Sequence, residues 1–267
     1  MTLDGTFYKF QSGSLVPCND EVDEVRLAAA DSWLVDSGKT RNLELHFERF
    51  AGWVQQVNKI VALELEDFFE QVVQTIPLEG RWFPRMELHL EGQAQPSLYL
   101  RLREAPEPAG PIVLWTYPEP DPRANPTVKG PDLSLGMQLR RKAIVHGADE
   151  AVLLDAHGYI AEGALASLVW WRGNVLCAPD ESTAWLPSVT RHEVFELARQ
   201  AGFETRVEHS KPADLVGLEI WALSSLHGIR PVVDWIDLGA PVGPAAGATR
   251  HFDSFEKRLR LLGRQIR

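Results

Sequence analysis

Three chemically useful groups occur in a fixed order in the second half of the chain. Lys129 comes first, Glu162 follows an apolar run, and Ser188-Val189-Thr190 precedes a helical pattern. A lysine amine condenses with aldehydes, a carboxylate pairs with a protonated nitrogen, and the first N–H groups of a helix bind anions. Together these residues predict a site that holds a phosphorylated carbonyl compound covalently.

The proposed amine needs a special environment. An ordinary lysine has a pKa of about 10.4, so it must be desolvated or lie beside positive charge to be neutral near pH 7. Composition alone would make Lys129 a solvated lysine in a linker. Lys142 is the nearest alternative, but it stands with Arg140 and Arg141 on a helix face that the pattern indicates is exposed.

Composition and charge argue against several other classes of protein. The chain has 27 Lys plus Arg against 37 Asp plus Glu, and its net charge of −10 argues against nucleic acid or an acidic membrane as a partner. Two cysteines, Cys18 and Cys177, cannot build a disulfide framework or a zinc cluster, and the histidines show no metal-ligand spacing. We find no signal peptide or membrane span, and we expect a soluble, cytoplasmic protein without a metal.

The length of 267 residues favours two domains. Seven prolines lie between Pro106 and Pro126, where the polar, proline-rich run predicts neither helix nor central strand. We therefore expect an N-terminal α/β domain over 1–117, a linker over 118–127 and a C-terminal domain over 128–267.

Apolar periodicity predicts the elements that would position these residues. In the first half, helices are expected over 43–57, with Asn42 as N-cap, and over 61–75; strands are expected over 86–90, 98–102 and 112–117. In the second half, the pattern predicts three helices: from Asp132 to about Gly147, between Ser188 and Gly202, and over about 252–265. Strands are expected over 151–154, 203–208, 219–223 and 231–236, with a hairpin over 168–177 and a connector over 239–248.

Four segments carry a resemblance to a known family. They are Ala148 to Asp155, Gly158 to Gly163, Leu186-Pro187-Ser188-Val189-Thr190-Arg191 and His46-Phe47-Glu48-Arg49. In this order and spacing the chain resembles class IV aminotransferases, the fold type IV enzymes that include branched-chain and D-amino acid aminotransferases and aminodeoxychorismate lyases. The resemblance implies a mixed α+β fold of two domains, pyridoxal 5′-phosphate in the cleft between them, and a homodimer.

The same resemblance implies a role for each candidate residue. Lys129 is the Schiff-base lysine, and Glu162 pairs with the pyridine nitrogen of the cofactor. The phosphate is held at the helix start by Ser188, Val189 and Thr190, with Arg49, Ser224 and Ser225 as further ligands. The alternative for Arg49 is a surface ion pair with Glu48 or Glu44, and for Thr190 it is simple helix capping.

Some segments depart from the family pattern. Residues 30–38 replace its Asp-Gly-x-Phe-Glu-Thr core, and Gly130-Pro131-Asp132 follows the lysine. The loop over 164–167 offers few polar groups for a substrate carboxylate, for which His227 and Arg230 would compensate unless they are rim residues.

The resemblance leads us to expect transamination between a small amino acid and a 2-oxo acid, with Lys129 moving the proton. The alternative is an aminodeoxychorismate lyase activity that yields 4-aminobenzoate and pyruvate, because both reactions need the same residues. Only Asp31 and Ser32 stand where the lyase would need a donor, which favours transamination. A third alternative is a degenerate protein that binds pyridoxal phosphate or another phosphorylated metabolite without turnover.

Overall fold

The computed structural model describes residues 5–18, 25–91, 96–243 and 251–267. The chain forms two compact units, and each is assembled from separate stretches of sequence. The first unit comprises Met1–Glu107, Val128–Pro131 and Leu262–Arg267, and the second comprises Pro108–Thr127 and Asp132–Leu261.

The described residues form strands and helices throughout both units. The strands are β1 Thr6–Gln11, β2 Ser14–Pro17, β3 Val25–Ser32, β4 Val35–Asp36, β5 Lys39–Thr40, β6 Arg81–Trp82, β7 Arg85–Glu91, β8 Ser97–Leu102, β9 Ile112–Pro120, β10 Glu150–Leu154, β11 Ile160–Gly163, β12 Ser167–Arg172, β13 Val175–Pro179, β14 Glu204–Glu208, β15 Glu219–Ser224, β16 Gly228–Ile236 and β17 Arg264–Gln265. The helices are α1 Leu43–Val57, α2 Leu65–Thr75, α3 Leu133–Val145, α4 Val189–Gln200 and α5 Phe252–Arg260.

An antiparallel sheet of order β2-β1-β8-β7-β3 is the centre of the first unit. Its inner face carries alternate apolar residues such as Met86, Leu88 and Leu100, all fully buried, which pack with Phe50 of α1 and Phe68 of α2. This period of two is the pattern that predicted β7 and β8. Burial of these side chains is the main source of stability for the unit.

The helices of the first unit follow the expected bounds with two differences. Helix α1 covers Leu43–Val57, but Asn42 adopts a left-handed conformation (φ 41°) and its side chain makes no capping bond. The expected helix over 61–75 begins as a 3₁₀ turn, Val61–Glu64, and becomes α-helical only at Leu65.

A mixed sheet of order β11-β10-β9-β16-β15-β12-β13-β14 forms the second unit. Helix α3 buries Leu139 and Ala143 against Trp115 and Leu153, while Trp170 belongs to a second cluster formed by the sheet. The expected strands of this half and the hairpin β12–β13 are confirmed. The structure is thus of the mixed α and β class that we expected.

Two of the expected boundaries differ from the structure. Strand β9 continues to Pro120 inside the expected linker, and its pairing with β16 covers Ile112 to Trp115 only, so Pro118 and Pro120 interrupt no bond on that side. The expected C-terminal helix over 252–265 is wrong beyond Arg260, because Arg264 and Gln265 pair with Thr40 and Lys39 as β17. Of the connector over 239–248, residues 244–248 lie outside the described residues.

Candidate functional site

Lys129 lies in the first unit beside strand β3. Its carbonyl oxygen accepts a hydrogen bond from the amide of Ala30 at 2.7 Å. The next residue, Gly130, has a φ of +141°, and a Cβ there would lie 2.8 Å from Cα of Ala29. Only glycine fits this conformation and this close approach, so the backbone that carries Lys129 is held against the sheet.

The His-x-x-Arg motif of α1 also meets strand β3. Asp31 Oδ1 accepts from Nδ1 of His46 at 2.7 Å, and its two oxygens accept from Nε and Nη2 of Arg49 at 2.7 and 2.9 Å. Burial would raise the pKa of the Asp31 carboxyl, but Arg49 and His46 outweigh burial and hold that pKa well below its usual range. Asp31 therefore fixes the plane of the Arg49 guanidinium.

Glu162 lies in the second unit on β11, where it pairs with Leu153 of β10. Its Oε1 accepts from Nη1 of Arg123 at 2.5 Å and from the amide of Leu186 at 2.9 Å. Arg123 also donates from Nε and Nη2 to Asp121, at 3.0 and 2.6 Å. These bonds form a chain from Asp121 through Arg123 to Glu162.

The hydrogen-bonded group of Asp121, Arg123 and Glu162 carries more negative than positive charge. Two carboxylates and one guanidinium carry a net negative charge, and Glu162 is only 4% exposed. Burial raises the pKa of the Glu162 carboxyl, while Arg123 and the amide of Leu186 oppose that rise. Among the described residues Glu162 Oε2 has no hydrogen-bond partner, so one oxygen and one negative charge remain for a protonated nitrogen.

The start of α4 provides groups for an anion. Ser188 is the N-cap, and its Oγ accepts from the amide of Arg191 at 3.2 Å, as the sequence predicted. Thr190 does not cap the helix: its side chain is buried (1% exposed), and Oγ1 has no partner within the described part of the chain. A buried hydroxyl without a partner is costly, and the first N–H groups of a helix attract negative charge.

Arg191 adds a positive charge at the start of α4. Its guanidinium lies 3.4 Å from the ring centre of Trp185. Burial lowers the pKa of Arg191 to about 10, although the charges of Glu162 and Glu181 oppose that change. The resemblance gave Arg191 no role beyond its place in the motif.

The two serines occupy a turn in the second unit. Ser224 ends β15, and its Oγ accepts from the amide of His227 at 3.1 Å, so this hydroxyl shapes the turn. Ser225 follows within the turn and is partly exposed. Their role as phosphate ligands stays a prediction.

Glu150 is a buried carboxylate that sequence reasoning did not identify. It is 3% exposed, and Oε1 accepts from the amides of Ala151 and Leu165, at 3.1 and 3.3 Å. Leu165 belongs to the loop that follows Glu162. Burial raises the pKa of Glu150 to about 7, against the opposing charges of Arg140 and Arg230.

Glu150 is expected to make stability depend on pH. Its pKa is raised from 4.5 to about 7 by folding, so between these values the folded protein binds more protons than the unfolded chain. Stability therefore falls as pH rises through this window. Glu150→Gln should reduce the fall by roughly 3 kcal/mol, as measured by urea unfolding near pH 5 and pH 8. Parallel profiles for the two proteins would contradict this role, and Glu196→Gln on the exposed side of α4 is the control.

No group of three or more His, Cys, Asp or Glu in the described ranges could hold a metal ion. Within the same ranges, no helix combines the length and the apolar character that a membrane span requires.

Several curated proteins match part of the chain. The branched-chain-amino-acid aminotransferase of Escherichia coli (strain K12) is 34% identical over 110 residues, which is 40% of this chain and 34% of that protein. The aminodeoxychorismate lyase of Bacillus subtilis (strain 168) is 28% identical over 102 residues, which is 37% of this chain and 35% of that protein. The chain thus matches about a third of the length of these relatives.

A solved structure matches almost the whole chain. The PLP-bound form of a hypothetical aminotransferase from Mycobacterium tuberculosis aligns with a TM-score of 0.76 and 18% identity, over 96% of this chain and 98% of that one. This likeness shows that the two chains share a fold. The model of the amino-transferase class IV family matches residues 28–235, and the chain therefore belongs to the class IV aminotransferases.

Proposed function

We propose that this chain is a pyridoxal 5′-phosphate-dependent aminotransferase that moves an amino group between a small amino acid and a 2-oxo acid. The observation that carries the proposal is Glu162, a buried carboxylate that keeps one oxygen and one negative charge for a protonated ring nitrogen. When bound, pyridoxal phosphate supplies an aldehyde carbon that amines attack and a ring that accepts the electron pair left by a departing proton.

Each candidate residue has a distinct task in this proposal. Lys129 would hold the cofactor through its aldehyde carbon, and the Nζ freed by the substrate amine would move a proton from the substrate carbon to the cofactor carbon. Glu162 keeps the ring nitrogen protonated. Arg123 and the amide of Leu186 support this task because they fix the orientation of the Glu162 carboxylate.

The phosphate is proposed to bind at the start of α4. The amides of Val189 and Thr190, with Thr190 Oγ1, are the donors, and Ser188 fixes the first turn of the helix. Arg49 is a further proposed ligand because Asp31 fixes its guanidinium plane. Ser224 and Ser225 complete the proposed phosphate ligands.

Thr190→Val is expected to weaken cofactor binding by about tenfold or more, since a hydrogen bond to a charged group is lost. The same change should raise the free energy of unfolding of the cofactor-free protein slightly, because it removes a buried hydroxyl that has no described partner. Both quantities can be measured by cofactor titration and urea unfolding.

Thr183→Val is the matched control for this change. Thr183 is also buried, but its hydroxyl donates to the carbonyl of Asp180. The control should lose stability and keep its cofactor affinity. An unchanged cofactor affinity in Thr190→Val would remove Thr190 from the site.

The environment of Asp31 favours transamination over lyase chemistry. Its carboxylate accepts from both His46 and Arg49 and is fully buried, so it is not a proton donor for a departing pyruvate. Asp31 thus gives no support to the lyase alternative, and the proposal keeps transamination as the reaction.

An absorbance spectrum of the cofactor-loaded protein, recorded before and after adding L- and D-amino acids singly, tests the reaction. The spectrum should change with at least one amino acid, and amino-group transfer to a 2-oxo acid should follow. Formation of 4-aminobenzoate from aminodeoxychorismate without any transfer would establish the lyase instead. Cofactor binding with neither reaction would establish a binding protein.

We also propose that the enzyme is a homodimer, as membership of this family implies. Light scattering of the cofactor-loaded protein should give about twice the mass of the chain, and the mass of one chain would contradict the proposal.

A further inference from the structure

The segment over 180–188 connects β13 to α4 and places one of its backbone amides on Glu162. The amide of Leu186 donates to Oε1 of Glu162 at 2.9 Å, and Leu186 lies two residues before Ser188, the N-cap of α4. The orientation of the Glu162 carboxylate therefore depends on how firmly this segment is held.

The segment contains a turn that is strained at one residue. Ala184 has a φ of 54°, a left-handed conformation that a residue with a Cβ rarely adopts. The bond from Nε1 of Trp185 to the carbonyl of Asp180, at 3.0 Å, spans this residue. Backbone strain of this kind persists only where surrounding contacts hold it, and the Trp185 side chain supplies one of them.

Arg191 supplies a second contact to the same side chain. Its guanidinium lies over the ring of Trp185, with Cζ 3.4 Å from the ring centre, and 5.5 Å from the ring centre of Phe195 one turn further along α4. Arg191 is 8% exposed, and its guanidinium makes no hydrogen bond or ion pair with the described residues. Contact with aromatic faces is the stabilising interaction that remains for this buried cation.

These contacts form a connected series within the second unit. Ser188 fixes the first turn of α4 by accepting from the amide of Arg191, and the Arg191 guanidinium holds the ring of Trp185. The residue after Trp185 is Leu186, whose amide bonds to Glu162. Loss of either member of the stack would free this amide and leave Glu162 with its bond to Arg123 alone.

We propose that the stacked pair of Trp185 and Arg191 positions Glu162 through the amide of Leu186. Both are positioning residues, because they act on Glu162 and are assigned no contact with the reacting atoms. A carboxylate that loses one of two fixed donors samples more orientations, and small displacements of a catalytic group lower rates steeply. The inference rests on the proposed role of Glu162 as the partner of the ring nitrogen.

Amide hydrogen exchange of the cofactor-loaded protein, read by mass spectrometry on the peptide that contains Leu186, tests the structural step without any reaction. Trp185→Leu and Arg191→Met should each speed this exchange by about tenfold or more, because the stack that holds the amide is lost. Arg191→Lys should keep the exchange slow, since an ammonium group retains the cation–π contact.

Arg199→Met is the matched control for the loss of a guanidinium from α4. Arg199 is exposed, and its Cζ lies 5.8 Å from the ring centre of Phe195. Its replacement should leave the exchange of the Leu186 peptide unchanged. If Arg191 served only to fill space, Met would be accepted better than Lys, because burial of a thioether costs less than burial of an ammonium group.

Single-turnover kinetics at saturating amino donor tests the consequence for catalysis. Trp185→Leu and Arg191→Met should each lower the rate by about tenfold. The double variant should be no slower than the slower single variant, because both substitutions break the same contact. Rates that fall multiplicatively would show independent roles and would overturn the proposed pairing.

The two measurements separate this inference from the proposed reaction. If no amino acid reacts with the unmodified protein, the reaction is wrong, and the exchange rates still show whether the pair holds the Leu186 amide. Exchange as slow as in the unmodified protein for both Trp185→Leu and Arg191→Met, or slower exchange in Arg191→Met than in Arg191→Lys, would overturn the inference. If circular dichroism shows that Trp185→Leu is unfolded, the comparison of Lys with Met at position 191 decides alone.

Discussion

Replacing Lys129 with alanine is expected to abolish covalent attachment of the cofactor and to lower kcat by about a thousandfold or more. Both the nucleophilic amine and the group that moves the proton are lost, and proton transfer by a positioned side chain alone contributes roughly 10² to 10⁴. The decay of the bound cofactor's absorbance in a single turnover measures this rate directly.

Lys142→Ala is the matched control for that result. Lys142 is exposed on α3, where its Nζ lies 5.3 Å from the ring centre of Tyr117. Its removal should leave the single-turnover rate within about twofold, because a surface side chain contributes little. A large loss in the control, with normal turnover in Lys129→Ala, would transfer the role to Lys142.

Glu162→Gln should keep the cofactor but lower kcat by about a hundredfold. A neutral amide cannot hold the ring nitrogen in its protonated form, so the ring accepts the electron pair less readily. The phosphate ligands are unaffected by this change, and the fall should therefore appear in kcat rather than in cofactor affinity. Steady-state kinetics with the best amino donor, beside cofactor titration, separates the two quantities.

Glu196→Gln controls for the loss of a negative charge on the second unit. Glu196 is partly exposed on α4 and pairs with Arg199. It should keep full activity. Full turnover in Glu162→Gln would show that the carboxylate is structural and that the assigned role is wrong.

The elements of the second unit could be predicted because their sequence signals are local. The capping Ser188, the periodic apolar positions of α4 and Gly202 with its φ of 82° all act within a few residues. The alternation in β7 and β8 is equally local. Such features do not depend on distant parts of the chain.

Strand β3 could not be recognised in the same way. Its sequence includes Ala28, Ala29 and Ala30, which carry little strand preference. The structure shows why position 130, which packs on this strand, is glycine: a Cβ there would lie 2.8 to 3.0 Å from backbone atoms of Ala29 and Ala30. The cause is a contact between residues about a hundred positions apart, which no local pattern contains.

The charged partners within the site were missed for a similar reason. Asp31 and Arg123 act through bonds to residues on other elements, and Arg123 lies in a proline-rich run that resembles a linker. One feature of the sequence pointed to the role of Asp31, because His46 and Arg49 share a helix face and need a carboxylate as their partner. For Arg123 the sequence offered none.

The position of the cofactor is the central claim, and covalent labelling tests it most directly. The cofactor-loaded protein is treated with borohydride, which makes the linkage permanent, and is then digested and mapped by mass spectrometry. The cofactor mass should appear on the peptide that contains Lys129 and on no other. Label on the peptide that contains Lys142, or none on protein supplied with the cofactor, would contradict the account.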